Sequence, residues 1–201
     1  MKIDVDTFLA ATAARRSIYG IGNEEVVDRE RISAIVGTAL RHTPSPYNLQ
    51  SGRVLVLFGE ESRRYWNQLK ATLKKNMSAE QFQRVSERIL GFSSGYGTVL
   101  FFDDEAAVKE LQVRFPGHAA DFPLWTLQSN GMLQHTVWTA LEGAGLGASL
   151  QHYNPVTEGI VQDLWAVPAS WKSIAQMPFG SVVTPPGEKE FLPLESRLRI
   201  I

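Results

Sequence analysis

One domain that mixes α-helices and β-strands is the fold class that this sequence predicts. The chain has 201 residues, 44% of them hydrophobic, which suffices for one domain with a buried core and is short for two domains of ordinary size. Segments with helical periodicity alternate along the chain with short apolar runs beside glycines, which are typical of buried strands. We therefore expect a single α/β-type domain over residues 1–201.

Two helices are predicted in the first quarter of the chain. Residues 5–15 place their apolar side chains on one helical face, and an aspartate before them can cap the helix. Residues 30–40 repeat the pattern, and the prolines Pro44 and Pro46 then force the chain out of the helix. The stretch from Ser45 onward is therefore predicted to be a loop.

The middle of the chain predicts two strands and three helices. Residues 53–58 and 97–102 are continuous apolar runs beside glycines, as expected of buried strands. Between them, the polar and charge-mixed residues 61–89 suggest two surface helices, to which we assign no chemical role. Residues 105–113 predict a short helix, preceded by an aspartate that can act as its N-cap.

A long helix is predicted over residues 118–143, with Pro123 tolerated in its first turns. Its residues 122–141 carry no formal charge, but they include proline, amides and histidine, which a lone membrane span would not carry. A helix without a charged face is expected to be buried on all sides. In a domain this small, a second subunit is the simplest way to cover it.

The last third continues the alternation of strands and helices. Glycines lead into a predicted strand over residues 145–150, a helix follows over 155–165, and residues 171–183 predict a strand with a proline at its middle. After two further prolines the chain ends in an apolar tail, residues 191–201, which carries two arginines.

The composition excludes several classes of function. Twenty basic and 21 acidic residues give a net charge of -1, without the positive surface that nucleic-acid binding requires. The absence of cysteine excludes disulfides, thiolate nucleophiles and zinc–thiolate sites, so redox chemistry would need a cofactor. Four widely separated histidines predict no metal site. Acidic residues near the N-terminus, where a secretory signal is apolar, indicate a cytoplasmic protein without a membrane partner.

Arg15, Arg16 and Ser17 form the first candidate binding site. Guanidinium groups match phosphate oxygens in a bidentate manner, so this sequence at the end of a helix can hold a phosphate. Taken alone, however, an arginine pair at a helix end is more often a solvated complement to the helix dipole. The stretch from Ser45 to Gln50, taken alone, is likewise better interpreted as an ordinary turn.

Four motifs in order resemble those of the nitroreductase family, and together they span nearly the whole chain. They are Arg15-Arg16-Ser17, residues 44–50, residues 145–152, and a proline-rich turn that leads to Arg197. The sequence Gln-His-Tyr-Asn-Pro at residues 151–155 resembles the subgroup of small oxidoreductase-like proteins named after a fungal fatty-acid-repression mutant.

The resemblance implies an α+β fold, or α/β sandwich, with a central and mainly antiparallel sheet flanked by helices. It places a long buried helix at the interface of an intertwined homodimer. It further implies one FMN-binding domain per chain, NADH or NADPH as the electron donor, and a small aromatic acceptor such as a nitroaromatic or a quinone. The flavin would carry the chemistry, so no catalytic side chain is expected.

The resemblance also assigns the cofactor-binding residues by position. Those that would hold the FMN phosphate and ribityl chain are Arg15, Arg16, Ser17 and Arg197, with Arg199 or Lys189 as alternatives to Arg197. Those that would approach the flavin ring from the partner subunit are Ser45, Pro46, Asn48 and Gln50. Those that would line the other edge of the ring, near its reactive nitrogen, are Leu150, Gln151 and His152. Arg16 is also the candidate for stabilising negative charge at the N1/O2 edge.

Two positions depart from the commoner family pattern. Tyr19 stands where many members have a basic residue, and Ser51-Gly52 stands where many have Pro-Trp. These departures leave open the nicotinamide preference and the range of substrates. Two other functions also stay open at this point: a flavin-binding regulatory protein of lipid or redox signalling with incidental turnover, and an interaction protein without a cofactor.

Overall fold

The computed structural model describes residues 4–201, in which helices cover both faces of a five-stranded antiparallel sheet. The helices are α1 (Val5–Ala14), α2 (Arg29–His42), α3 (Gly59–Asn76), α4 (Ala79–Ser93), α5 (Glu105–Arg114), α6 (Phe122–Gly143) and α7 (Val156–Trp165). The strands are β1 (Gly20–Gly22), β2 (Gly52–Phe58), β3 (Gly97–Asp104), β4 (Gly147–Ala148) and β5 (Trp171–Thr184). Single 3-10 turns lie at Pro46–Asn48, Pro116–His118 and Leu194–Ser196.

Strand β5 organises the sheet. The strand order is β1-β5-β3-β2, and β4 also pairs with β5; every pair is antiparallel. The predicted central, mainly antiparallel sheet flanked by helices is therefore confirmed.

The two faces of β3 explain the continuous apolar run at residues 99–102. Successive side chains of a strand point to opposite faces. Val99 and Phe101 pack in one core with residues of α2 and α6, whereas Leu100 and Phe102 pack in a second core with residues of α3, α4 and α7. All four side chains are fully buried.

The two helices predicted for residues 61–89 are present, but α3 is not merely a surface helix. Its side chains Tyr65, Trp66 and Leu69 are fully buried in the second core. A capping box at Ser78 and Gln81 starts α4. Together these helices form the layer that covers one face of the sheet.

Helix α6 begins later than predicted and is exposed along one side. Residues 116–118 form a separate 3-10 turn, and the helix starts at Phe122 because a proline is favoured in the first turn. We call its exposed side the α6 stripe, which comprises Leu124, Leu127, Gln128, Gly131, Met132 and His135. Leu124 is 59% exposed, so one chain alone does not achieve the predicted burial on all sides.

Two strands differ from the prediction because glycine obscures their pattern. The strand predicted over residues 145–150 shortens to Gly147–Ala148, after a left-handed Gly145. Strand β1 was not predicted, since two of its three residues are glycine. In addition, none of the helices within residues 4–201 is both long and apolar enough to cross a membrane.

Candidate active site

The double-arginine segment lies beside strand β4. The backbone N–H of Ile18 donates to the carbonyl of Ala148 at 2.8 Å. A Cβ at Gly147 would lie 2.7 Å from the Ile18 Cγ2 atom, so this close approach requires glycine. This contact brings together two groups of predicted site residues, Arg15–Ser17 and Leu150–His152.

Two residues of α6 hold the arginine pair in place. The Arg15 guanidinium lies 4.4 Å from the ring centroid of Trp138. The backbone N–H of Arg16 donates to Glu142 Oε2 at 2.7 Å, and the Trp138 indole donates to Glu142 Oε1 at 2.7 Å. The Arg16 guanidinium donates to the carbonyl of Gly187 at 2.6 Å.

Both guanidiniums keep their charge available for a ligand. Within residues 4–201, neither Arg15 nor Arg16 has a carboxylate oxygen within 4.0 Å of its guanidinium nitrogens. Ser17 is exposed next to them. Two positioned and unpaired arginines beside a hydroxyl suit a phosphate group.

Burial raises the pKa of the Glu142 carboxyl above its ordinary value of 4.5. The N–H groups of Arg16 and Trp138 and the charges of the two arginines oppose this shift. The folded state thus binds the proton more tightly than the unfolded state. The contribution of Glu142 to stability is fully present below pH 4.5 and is lost as the pH rises through the folded-state pKa.

Glu142→Gln tests this sign. We subtract the free energy of unfolding of the variant from that of the wild-type protein, and we expect this difference to fall as the pH rises above 4.5. Glutamine does not titrate, so the comparison isolates this carboxyl. Urea unfolding at several pH values measures the difference. A difference that grows with pH would contradict the sign of the shift.

A buried glutamine of β5 positions the segment after β4. Gln176 is fully buried, and its backbone exchanges hydrogen bonds with Gln151 at 2.7 and 2.9 Å. Its side-chain oxygen accepts from the backbone N–H of Tyr153 at 2.6 Å, and its amide nitrogen donates to Asn154 Oδ1 at 2.9 Å. Gln176 was not predicted as a site residue, although an amide within an apolar strand pattern is a signal of a buried polar network.

The loop from Ser45 to Gln50 has an unusual backbone. Tyr47, Asn48 and Gln50 have φ angles of 52°, 53° and 52°, in the left-handed region that non-glycine residues rarely occupy. The Ser45 hydroxyl stabilises the loop by accepting from the backbone N–H of Gln50 at 2.9 Å. Clustered strain of this kind is typical of functional loops, and the side chains of Asn48 and Gln50 are exposed.

This loop lies far from the arginine pair within one chain. The carbonyl of Pro44, just before the loop, accepts a hydrogen bond from Ser129 Oγ at 2.6 Å, whereas Arg16 is bound to Glu142. Both partners lie on α6, 13 positions apart, which corresponds to about 20 Å at 1.5 Å per residue. The predicted site residues thus form two groups at different ends of α6.

Arg197 belongs to a third group, the exposed C-terminal tail. The tail starts near the site, where Gly187 contacts Arg16, and its residues 188–201 are all exposed. Arg197 follows the 3-10 turn Leu194–Ser196, and its backbone N–H donates to Leu194. The Arg197 side chain forms no hydrogen bond or ion pair with any of residues 4–201.

Several cavities adjoin the predicted site residues. One of about 410 Å³ is bordered by Ser45 and Gln50. Another of about 640 Å³ is lined by Tyr19, Glu87, Arg88, Gly91, Phe92 and Gln151. Four of these six residues lie on α4, a helix for which the sequence predicted no chemical role. Across residues 4–201, no cluster of three or more His, Cys, Asp or Glu side chains is arranged to hold a metal ion.

Known proteins resemble the chain over nearly its full length. The Nitroreductase family model matches residues 12–181. The Saccharomyces cerevisiae proteins HBN1 and nitroreductase FRM2 are 34% and 33% identical to it, over 94% and 92% of this chain and 94% and 93% of their own lengths. These relatives confirm the predicted subgroup.

Solved structures agree with this result. Nitroreductase CinD from Lactococcus lactis, in complex with chloramphenicol, is 38% identical with a TM-score of 0.88, covering 96% of this chain and 99% of CinD. CinD has also been solved with 4-nitrophenol. A Desulfovibrio desulfuricans protein in complex with FMN has the same fold, with a TM-score of 0.69 at 19% identity, covering 100% of this chain and 99% of its own. The chain belongs to the nitroreductase family and is an oxidoreductase.

Proposed function

We propose that this chain is an FMN-dependent oxidoreductase that takes hydride from NADH or NADPH and reduces nitroaromatics, quinones or similar flat acceptors. The observation that carries the proposal is the contact between Ile18 and Ala148, because it places Arg15–Ser17 beside Leu150–His152. The FMN bound by the Desulfovibrio protein and the nitrophenol bound by CinD support the same chemistry.

The residues at this site fit an FMN phosphate and ring. Arg15 and Arg16 would bind the phosphate and ribityl chain, and Trp138 with Glu142 fixes both arginines before the ligand arrives. Arg16 would also stabilise negative charge at the N1/O2 edge of the ring. When bound, FMN supplies the acceptance and release of hydride.

The other edge of the ring would lie against residues 150–152. Gln176 fixes the backbone of Gln151 and Tyr153, so this edge is preorganised. The nicotinamide donor and the aromatic acceptor would occupy the same space in turn, which predicts ping-pong kinetics. No side-chain acid or base is required for either half-reaction.

We further propose a homodimer in which the loop from Ser45 to Gln50 completes the site of the partner subunit. Within one chain this loop lies about 20 Å from the anchor of Arg16 along α6. The exposed and mostly apolar α6 stripe starts on the loop side of α6 and extends towards that anchor as far as His135. Exposed apolar side chains also mark α1 and the C-terminal tail, where Phe8 is 60% and Phe191 74% exposed. Contiguous apolar surface of this kind is typical of protein interfaces.

Arg197→Ala is expected to weaken FMN binding by about 1.5–3 kcal/mol if its guanidinium makes a charge-assisted contact with the phosphate. Fluorescence titration of the protein with FMN measures the loss. Arg199→Ala and Lys189→Ala are the matched variants of the same tail. If Arg197→Ala leaves FMN affinity unchanged and either Arg199→Ala or Lys189→Ala lowers it, the residue replaced in that variant contacts the phosphate in place of Arg197.

The absorption spectrum of the purified protein tests the proposed function most directly. We expect a yellow protein whose flavin absorbance bleaches with NADH or NADPH and returns when 4-nitrophenol or a quinone is added. A colourless protein that FMN cannot reconstitute would refute cofactor binding. Reduction that stalls after one equivalent of acceptor would favour the alternative function, a flavin-binding regulatory protein of lipid or redox signalling.

A further inference from the structure

The 640 Å³ cavity connects helix α4 to the segment that would line the flavin ring. Its wall is formed by four α4 residues on one side and by Tyr19 and Gln151 on the other. Its volume lies within the range of small-molecule sites in proteins, about 300–1,000 Å³. A ligand in this cavity would therefore contact both α4 and Gln151.

Arg88 is the one cation among the six lining residues. Within residues 4–201 it has no carboxylate oxygen within 4.0 Å, whereas Arg84, one turn earlier on α4, pairs with Glu80 at 3.4 Å. Glu87 lines the same cavity, but adjacent positions on a helix do not face each other. In the described part of the chain, the Arg88 guanidinium thus forms no close ion pair, although Glu87 brings one negative charge to the same cavity wall.

Arg88 and Gln151 line the same cavity, which places Arg88 beside the predicted ring edge. Burial raises the pKa of the Tyr153 hydroxyl, and the positive charge of Arg88 opposes that rise. Tyr153 follows Gln151 by two positions and is fixed by Gln176. Arg88 therefore faces the segment that follows β4.

Gly91 leaves space next to Arg88. It lies three positions further along α4 and lines the same cavity, and a Cβ at this position would have no atom within 4 Å. The opening that it leaves suits a flat ring.

We propose that Arg88 binds an anionic substituent of the aromatic acceptor, so that this protein prefers acceptors that carry a carboxylate or a phenolate. The inference rests on the proposed function and adds the substrate class. It also offers a reason for Tyr19: an aromatic side chain in place of a basic one gives the cavity an apolar wall, and Arg88 supplies the cation from α4.

A matched pair of acceptors tests this specificity. 4-Nitrobenzoate and 4-nitrobenzamide share the ring, the nitro group and nearly the same shape, and differ in charge. In Arg88→Gln we expect kcat/KM for the benzoate to fall about tenfold or more, while the value for the benzamide stays within about twofold. Comparing the ratio of the two values between enzymes cancels their intrinsic difference in reactivity.

Three further variants sharpen the test. Arg88→Lys keeps the charge but loses the planar fork, so it should restore part of the preference. Arg84→Gln removes a neighbouring arginine that is already paired, and should leave the ratio unchanged. Gly91→Leu should narrow the cavity and lower kcat/KM for both acceptors. If Arg88→Gln leaves the ratio of the two kcat/KM values unchanged, whether or not both values fall, the inference is overturned.

Calorimetric binding of the same two compounds, without an electron donor, separates this inference from the proposed function. Binding of 4-nitrobenzoate that weakens about tenfold in Arg88→Gln supports the anion site even if the protein fails to turn over. Conversely, normal FMN loading and turnover with no effect of Arg88 on either compound refutes the inference and leaves the proposed function intact.

Discussion

Replacing Gly131 by arginine is expected to convert the proposed homodimer into monomers and to weaken FMN binding by about tenfold or more. Gly131 lies in the middle of the α6 stripe, where a long charged side chain would separate two packed helices. Monomers would lose the contacts from Asn48 and Gln50 of the partner subunit. Their own arginine pair would stay in place and would bind FMN weakly.

The substitution should leave the fold of each chain intact. A Cβ at Gly131 has no atom of the same chain within 4 Å, and replacing a helical glycine stabilises a helix by up to about 1 kcal/mol. Light scattering measures the mass of the assembly, and fluorescence titration measures FMN affinity. An unchanged dimer with unchanged affinity would show that the α6 stripe is not the interface.

Gly159→Arg is the matched control for this experiment. Gly159 is also an exposed glycine inside a helix, α7, and a Cβ there also has no atom within 4 Å. It lies outside the α6 stripe, so we expect this variant to stay dimeric and to bind FMN normally. Loss of the dimer in both variants would indicate a general effect of the added charge.

Trp66→Ala is expected to lower the free energy of unfolding by about 3–5 kcal/mol. Trp66 is fully buried between α3 and the sheet, and its ring centroid lies 5.1 Å from that of Phe92 and 5.9 Å from that of Tyr153. Its indole N–H donates to the hydroxyl of Thr98 at 2.8 Å. The variant would lose this packing and leave a large cavity in the second core.

Trp66→Phe separates the packing from the hydrogen bond. Phenylalanine fills most of the same space, and Thr98 keeps its hydrogen bond with Ser62 at 2.7 Å. We therefore expect this variant to lose only about 1–2 kcal/mol. Chemical unfolding of the three proteins measures both differences. Equal losses in the two variants would mean that the hydrogen bond, and not the volume of the ring, dominates at this position.

Local patterns in the sequence predicted most of the secondary structure. Strand β3 was predicted because burial on both faces makes its residues 99–102 a continuous apolar run, and α2 because apolar residues recur on one face at helical spacing. Where glycine replaces that pattern the prediction failed, since glycine carries no side chain to report a buried face. Strand β1, with two glycines in three residues, is the clearest case.

Several residues that the fold brings to the candidate site were not predicted, for a different reason. Gln176 and Arg88 belong to no recognised motif, and each matters because of a distant segment that the fold brings beside it. Glu142 was missed likewise, since its role depends on a backbone N–H 126 positions earlier. Side-chain type alone does not reveal such partners.

The sequence by itself determined the order of the motifs and most of the helices and strands, because these depend on periodicity and on residues close together in the chain. The resemblance of those motifs to the nitroreductase family, and not periodicity, implied the antiparallel sheet. Only the tertiary structure decided which motifs meet. The hydrogen bond from Ile18 to Ala148 joins two of them, while the length of α6 keeps the loop from Ser45 to Gln50 about 20 Å away. A rigid helix fixes that distance, and no local pattern encodes where its two ends dock.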